Sequence, residues 1–315
     1  MYVDSRDWNR YNKKLVNRGK FITLLIEPSL MDSESLDEIN LKKRGRPFKF
    51  SKGLIIAVMT VKCVLRLGYR QLEGFVEDFC RKLNVKIPNF RTIWWRFDKL
   101  EPDSIELICS DNKHTVVAID STGLRNVNDG EYRAMRYDKR REWTKMHVAF
   151  DVKTKEFLNF TLTDGRVNDC LEFRRVIEPV SNGLSEILGD KGYDTGDNFD
   201  FCRRRGITAK IPVKINATNR TSRSKGRRDA IVDQLGFQIR PASNKLNFKL
   251  TKKTKLRNQD EWKLRVNYGK RSLIESSFST YKRILGEAIF SRKKNNVRKE
   301  IATKLNLFNL FSLSR

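Results

Sequence analysis

The chain has 315 residues, enough for two or three domains and a full apolar core. Its 65 lysines and arginines against 38 aspartates and glutamates give a net charge of +27. That is too basic for an ordinary metabolic enzyme, and together with 10% aromatic residues it favours nucleic acid over a ribosomal or membrane-surface setting.

Five scattered cysteines (Cys63, Cys80, Cys109, Cys170, Cys202) form no CxxC pair. They read as reduced thiols of a cytoplasmic protein, not as a disulfide frame or a zinc site. With only His114 and His147 present, any metal is expected to be a hard cation held by oxygen. The opening Met1-Tyr2-Val3-Asp4 has no signal-peptide character, and the longest apolar run, Leu54 to Leu65, is interrupted by Lys62. No membrane segment is expected.

Residues 1–50 read as a polar lead-in that ends in a basic arm, Lys42-Lys43-Arg44-Gly45-Arg46-Pro47. Arg44 and Arg46 in an Arg-Gly-Arg-Pro setting are similar to the core of minor-groove AT-hooks, and a plain basic linker fits equally. Residues 51–105 read as a helical domain. Ser51 suits an N-cap for a helix with apolar Leu54, Ile55, Val58 and Val61, stopped at Gly68. A second helix starts at Tyr69-Arg70-Gln71, and a third, carrying Arg91 and Arg96, follows the start signal Pro88-Asn89. Three short helices with a basic third one are compatible with a helix-turn-helix DNA reader, or with a bundle that only packs on a catalytic part.

Beyond Glu101-Pro102-Asp103 the period changes to that of strands. His114–Ile119 should be a buried strand ending at Asp120, followed by strands at 145–152 and 156–163 and a helix over 169–180. A fourth strand, Ser185–Leu188, ends at Gly189-Asp190; a helix to Arg205 and a fifth strand over 207–213 complete the order. Three antiparallel strands, then a helix and further strands, predict an α/β sheet of the ribonuclease H type. Residues 214–262 break the scheme and read as an inserted loop with a β-hairpin through Phe237, Ile239, Leu246, Phe248 and Leu250. Asp151, Asp164 and Asp194 are assigned to turns, Trp143 and His147 to packing, and Lys145 to the groove side of its strand.

Near the carboxyl end, Tyr268, Arg271, Glu275 and Lys282 are separated by three, four and seven residues. On one helix they fall within an arc of about 60°. Leu273, Ile274, Tyr281, Ile284 and Leu285 take the opposite side, available for burial. A carboxylate flanked by cations suits a metal site receiving a polyanion, and a solvated charged face is the alternative. Asp120 and Asp190 each follow an apolar strand, where open α/β sheets place ligands, although an aspartate there is as often a turn former. If the Glu275 helix crosses that edge, three carboxylates meet, and divalent cations would relieve their repulsion. Two magnesium ions, with manganese as a substitute, could then hold the attacking and leaving oxygens of one phosphodiester. Lys191, Arg271 and Lys282 would position the phosphate, and Tyr268 would donate to it or stack on a flipped base.

The segments Asp120-Ser121-Thr122-Gly123 and Gly189-Asp190-Lys191-Gly192-Tyr193-Asp194, with the Y-x2-R-x3-E-x6-K spacing, resemble the DDE transposases of prokaryotic insertion sequences (IS-four/IS-five type). Arg44 to Phe50 and Tyr69-Arg70-Gln71 resemble the amino-terminal part of the same group. The resemblance implies a ribonuclease H-like domain over 112–315, with Asp120, Asp190 and Glu275 as metal-binding catalytic triad. It also implies magnesium dependence, binding of double-stranded DNA at terminal inverted repeats and target, and a homodimer in a synaptic complex. A cytoplasmic, nucleoid-associated prokaryotic location goes with it. The insert stands where such enzymes carry a β-rich piece, and Gly189 stands where an alanine is common, a change expected to be harmless. A nuclease or resolvase that hydrolyses without joining, and a transposase-derived binding protein without catalysis, are the other readings.

Overall fold

The computed structural model describes residues 43–82, 88–110, 114–127, 143–218, 223–236 and 251–313, plus Asp7, Asn9, Lys13, Val16, Leu36, Asn40 and Leu41. The chain divides into two compact units, one of Met1–Ile108 with Arg283–Arg315 and one of Cys109–Lys282.

In the first unit, helix α1 spans Lys52–Leu65 and buries Leu54, Ile55, Val58 and Val61. Ser51 caps it through its Oγ, which accepts from the Leu54 amide at 3.1 Å. The helix stops earlier than Gly68: Arg66 takes the left-handed conformation at φ 54°, and its amide bonds back to the Lys62 carbonyl. Gly68 instead opens helix α2, Tyr69–Lys82, its carbonyl accepting from the Leu72 amide at 2.8 Å. Helix α3, Phe90–Lys99, is capped by Asn89, whose Oδ1 accepts from the Thr92 amide at 2.8 Å.

The second unit is built on a sheet with strands β1 (Val116–Asn126), β2 (Trp143–Asp151), β3 (Phe157–Asp164), β4 (Glu186–Gly189) and β5 (Thr208–Lys210). Their spatial order is β3-β2-β1-β4-β5. β2 is antiparallel to both its neighbours, and β4 lies parallel to β1 and β5. This is the ribonuclease H arrangement that the alternation of periods predicts. Helix α4, Asp169–Ile177, buries Phe173, Val176 and Ile177 against this sheet, and helix α5, Gly196–Arg204, buries Phe199, Phe201 and Cys202 in the same core.

β1 does not end at Asp120. It runs six residues further because β2 is long enough to pair back from Asp151 to Trp143, opposite Arg125. The parallel partner is shorter, and its last register pair is Ile119 with Gly189.

Within the 214–262 insert, residues 214–218 and 223–224 are non-helical, as a loop requires, but two helices follow that were not foreseen: α6 spans Lys225–Leu235 and α7 spans Lys252–Arg265. Ser224 and Thr251 cap them through side-chain oxygens, and Gly236 ends α6 at φ 74°. Dense charge in both stretches hides the helical period. The hairpin positions 237–250 lie outside the described residues. Two buried glutamines dock these helices onto the chain after β5. Gln234 donates to the Ile211 carbonyl and accepts from the Val213 amide, and Gln259 donates to the Val213 carbonyl, all at 2.8 Å. Their amides complete backbone hydrogen bonding that a further strand would otherwise supply.

Helix α8, Ser272–Leu285, follows a 3-10 turn at Tyr268–Arg271. Tyr268 and Arg271 therefore stand on that turn, and only Glu275 and Lys282 of the four-residue stripe lie on the α-helix. Ile274, Tyr281 and Leu285 are buried as the opposite-face reading requires, while Leu273 and Ile284 are half-buried. Helix α9, Lys294–Leu313, belongs to the first unit. Among the described residues no helix is long and apolar enough to cross a membrane, and the described cysteines Cys63, Cys109, Cys170 and Cys202 form no disulfide with one another.

Candidate active site

Since Ile119 and Gly189 are a register pair on parallel strands, Asp120 and Asp190 come next on neighbouring strands. Asp120 stays within the β1–β2 ladder, opposite Val148, while Asp190 leaves β4 and starts the 3-10 turn Lys191–Tyr193. Asp120 is half-buried and Asp190 exposed.

Tyr268 and Arg271 connect this strand end to α8. The Tyr268 hydroxyl donates to the Gly189 carbonyl at 2.9 Å, and its ring lies 5.9 Å from that of buried Trp262. The Arg271 guanidinium pairs with Asp120 Oδ2 at 3.1 Å and, through its other terminal nitrogen, with Glu275 Oε1. One cation thus joins two of the three acidic groups. Lys282 is half-buried on the same helix.

Burial raises the Asp120 carboxyl above its usual range; its own neighbour's amide and Arg271 oppose this, and the charges of Asp190 and Glu275 reinforce it. Burial also raises the Tyr268 phenol well above the usual tyrosine range. Burial works against the Arg271 charge, but Tyr268, Asp120, Glu275 and Asp190 together hold that guanidinium above the usual arginine range. All three acidic groups therefore share one electrostatic environment. Among the described residues no three His, Cys, Asp or Glu side chains stand close enough to hold a metal ion as they are. The donor set suits a hard cation nonetheless: three carboxylates and no sulfur or imidazole, with Arg271 supplying the positive charge between Asp120 and Glu275.

Beside Asp190, Lys191 lines a cavity of about 650 Å3 together with Lys214, Ile215, Asn216, Lys252 and Lys255. Lys214 was not singled out in the sequence, and Lys252 and Lys255 belong to the basic run Lys252-Lys253-Thr254-Lys255. Asp194 proves to be more than a turn residue. Its buried carboxylate takes two hydrogen bonds from Arg227, at 2.7 and 2.9 Å, and one from the Lys214 amide at 2.8 Å. Asp151 accepts from the Lys153 and Thr154 amides as a turn former does, and also meets His114 at 2.8 Å. His147 is fully buried, and Lys145 pairs with Asp169 at 2.8 Å.

In the first unit Arg44, Arg46 and Arg91 are exposed. The described part of the basic arm, 43–47, lies between two tied residues: the Asn40 side chain exchanges two hydrogen bonds with the Phe48 backbone, at 3.0 and 2.7 Å. Arg96 is buried at 6% exposure, its guanidinium 3.7 Å from the Phe48 ring centroid and donating to the Phe50 carbonyl at 3.1 Å. It falls on the inward face of α3 with Ile93 and Phe97, so its charge faces the core rather than an outside ligand.

Residues 111–310 match the family model described as a transposase DDE domain, and residues 16–129 match a second model of the same description. The chain belongs to the DDE-domain transposases. An uncharacterized protein of Aquifex aeolicus (strain VF5) is 32% identical over 84 residues, 27% of this transposase, which spans about a quarter (25%) of that relative's length. Among solved structures, the piggyBac transposase synaptic complex with hairpin DNA is similar at TM-score 0.36 and 12% identity, covering 91% of this transposase and 72% of that chain. DDE transposases as a family use divalent metal ions.

Proposed function

We propose that this transposase binds the ends of a mobile element and carries out metal-dependent DNA strand cleavage and transfer. The observation that carries the reading is the adjacency of Asp120 and Asp190 at the β1–β4 edge, with Glu275 joined to Asp120 through Arg271. Three acidic groups sharing one electrostatic environment beside a lysine-lined cavity suit a phosphodiester and serve no evident packing need.

Asp120, Asp190 and Glu275 would hold divalent cations, magnesium or manganese. When bound, these supply charge stabilisation at the reacting phosphorus and an activated water or 3′-hydroxyl oxygen. Arg271, paired here with Asp120 and Glu275, would be available to the phosphate when cations hold the carboxylates. Lys191 and Lys282 would hold the flanking phosphates, and Tyr268 fastens α8 to the end of β4. Arg44, Arg46 and Arg91 offer exposed cations to duplex DNA, whereas Arg96 anchors the 48–50 segment. A homodimer bridging two element ends, in a prokaryotic cytoplasm and on the nucleoid, completes the proposal.

Replacing Glu275 with Gln should abolish cleavage and joining with Mg2+ while leaving duplex binding within about twofold, because a neutral amide is a poor ligand for a hard cation. Activity retained in that variant rejects the assignment. Pre-cleaved end DNA offered with a plasmid separates transfer from hydrolysis: absence of joined product identifies a nuclease.

A further inference from the structure

The amino ends of α2 and α3 in the first unit open onto one notch of about 480 Å3. Tyr69, Arg70, Gln71, Phe90, Arg91 and Trp94 line it, and Gly68 adds backbone. This volume lies within the span of about 300–1,000 Å3 usual for ligand sites. Trp94 is 45% exposed although it is the largest kind of apolar side chain. The Arg70 and Arg91 guanidinium carbons lie 5.3 and 5.8 Å from the Phe90 ring centroid.

No carboxylate is among the lining residues. Glu73, the nearest acid on α2, has an oxygen committed to the Phe90 amide at 3.0 Å. Two arginines and the positive ends of two helix dipoles exclude a cation from the notch. An apolar peptide side chain would leave both guanidinium groups without an anionic partner. A flat ring carrying phosphate on either side satisfies every wall at once: aromatic faces for stacking and fixed cations for the backbone.

We propose that this notch holds a single unpaired nucleobase, stacked on Trp94 and Phe90, with Arg70 and Arg91 on the adjoining phosphates. The inference deepens the DNA-binding part of the function proposed above and rests on it. Duplex contact through Arg44, Arg46 and Arg91 needs no base outside the stack; the notch adds recognition of a nucleotide that has left it, in a single strand or at a melted end.

The test uses the full chain and two labelled probes, a short oligothymidylate and the same strand with every base removed. The intact protein should bind the base-carrying strand about tenfold more tightly, the share that one stacked base contributes. Trp94→Ala should bring that ratio below about twofold, Trp94→Phe should restore most of it, and Arg70→Gln should weaken both probes alike. Phe75→Ala, at an exposed aromatic outside the notch on α2, should leave the ratio unchanged, and circular dichroism checks the folding of each variant. An undiminished ratio in folded Trp94→Ala overturns the proposal. So does a ratio near one in the intact protein. If duplex DNA still binds in that case, the notch reading alone falls; if no DNA binds, the functional reading falls with it.

Discussion

Single residues carry most of what distinguishes this molecule. At Gly189 a Cβ atom would stand 3.2 Å from Ile119 Cγ2, 3.2 Å from Ile211 Cγ1 and 3.3 Å from Tyr193 Cδ2, all on fully buried side chains. The alanine common at this place in the resembled motif would therefore crowd three buried side chains here. Gly189→Ala should destabilise the second unit by about 1 kcal/mol, the low end of overpacking effects, seen as a lower denaturant midpoint. An unchanged midpoint would mean that Ile119 and Ile211 yield freely. The neighbouring placement of Asp120 and Asp190 was legible because each carboxylate follows an apolar run, a pattern written in one dimension. The bridging of Asp120 and Glu275 by Arg271 was not, since it joins positions 151 residues apart. Arg96 misled for the opposite reason: a cation on a basic helix reads as exposed, and nothing in its spacing shows Phe48 lying over it.

At the scale of elements, strands were easier to foresee than their ends. The length of β1 depends on its partner β2, which no local signal in 114–126 encodes. The insert helices were missed because α6 and α7 bury few residues on a charged background; among those buried are polar Gln234 and Gln259, not an apolar stripe. Helix α9 shows how a buried charge can hold an element in place. Glu300 is 2% exposed, pairs with Lys304 at 3.0 Å, and accepts from the Phe290 and Ser291 amides. Burial alone would raise its carboxyl, but Lys304 and these hydrogen bonds outweigh it and hold it below the usual range. The stabilisation is thus present above the unfolded value of 4.5 and is lost as pH falls through the lower folded one. Glu300→Gln should destabilise the first unit by about 3 kcal/mol near neutral pH, since it strands the Lys304 charge. That difference should shrink in acid, and thermal melts across a pH series would show it; a pH-independent difference would assign the loss to packing instead.

For the molecule as a whole, the net charge of +27 predicts binding governed by counterion release. Affinity for duplex DNA should fall about a thousandfold or more between roughly 50 and 200 mM salt if six or more phosphates are engaged. A shallow slope would confine phosphate contact to a few residues. Composition pointed to that partner from the start, whereas the division into units was not legible, because residues 283–315 group with the beginning of the chain. Fully buried Lys299 on α9 donates its ammonium to the carbonyls of Phe97, Asp98 and Leu100, closing the carboxyl end of α3. Ribosomes make a protein from one end to the other, so α1 to α3 emerge long before the lysine that finishes them. A nascent chain would have its strands β1 to β5 in hand before the α9 residues that finish its helical unit have been made. Messages cut short before α9 would then yield proteins that keep Asp120, Asp190 and Glu275 but leave the carboxyl end of α3 without the lysine that closes it.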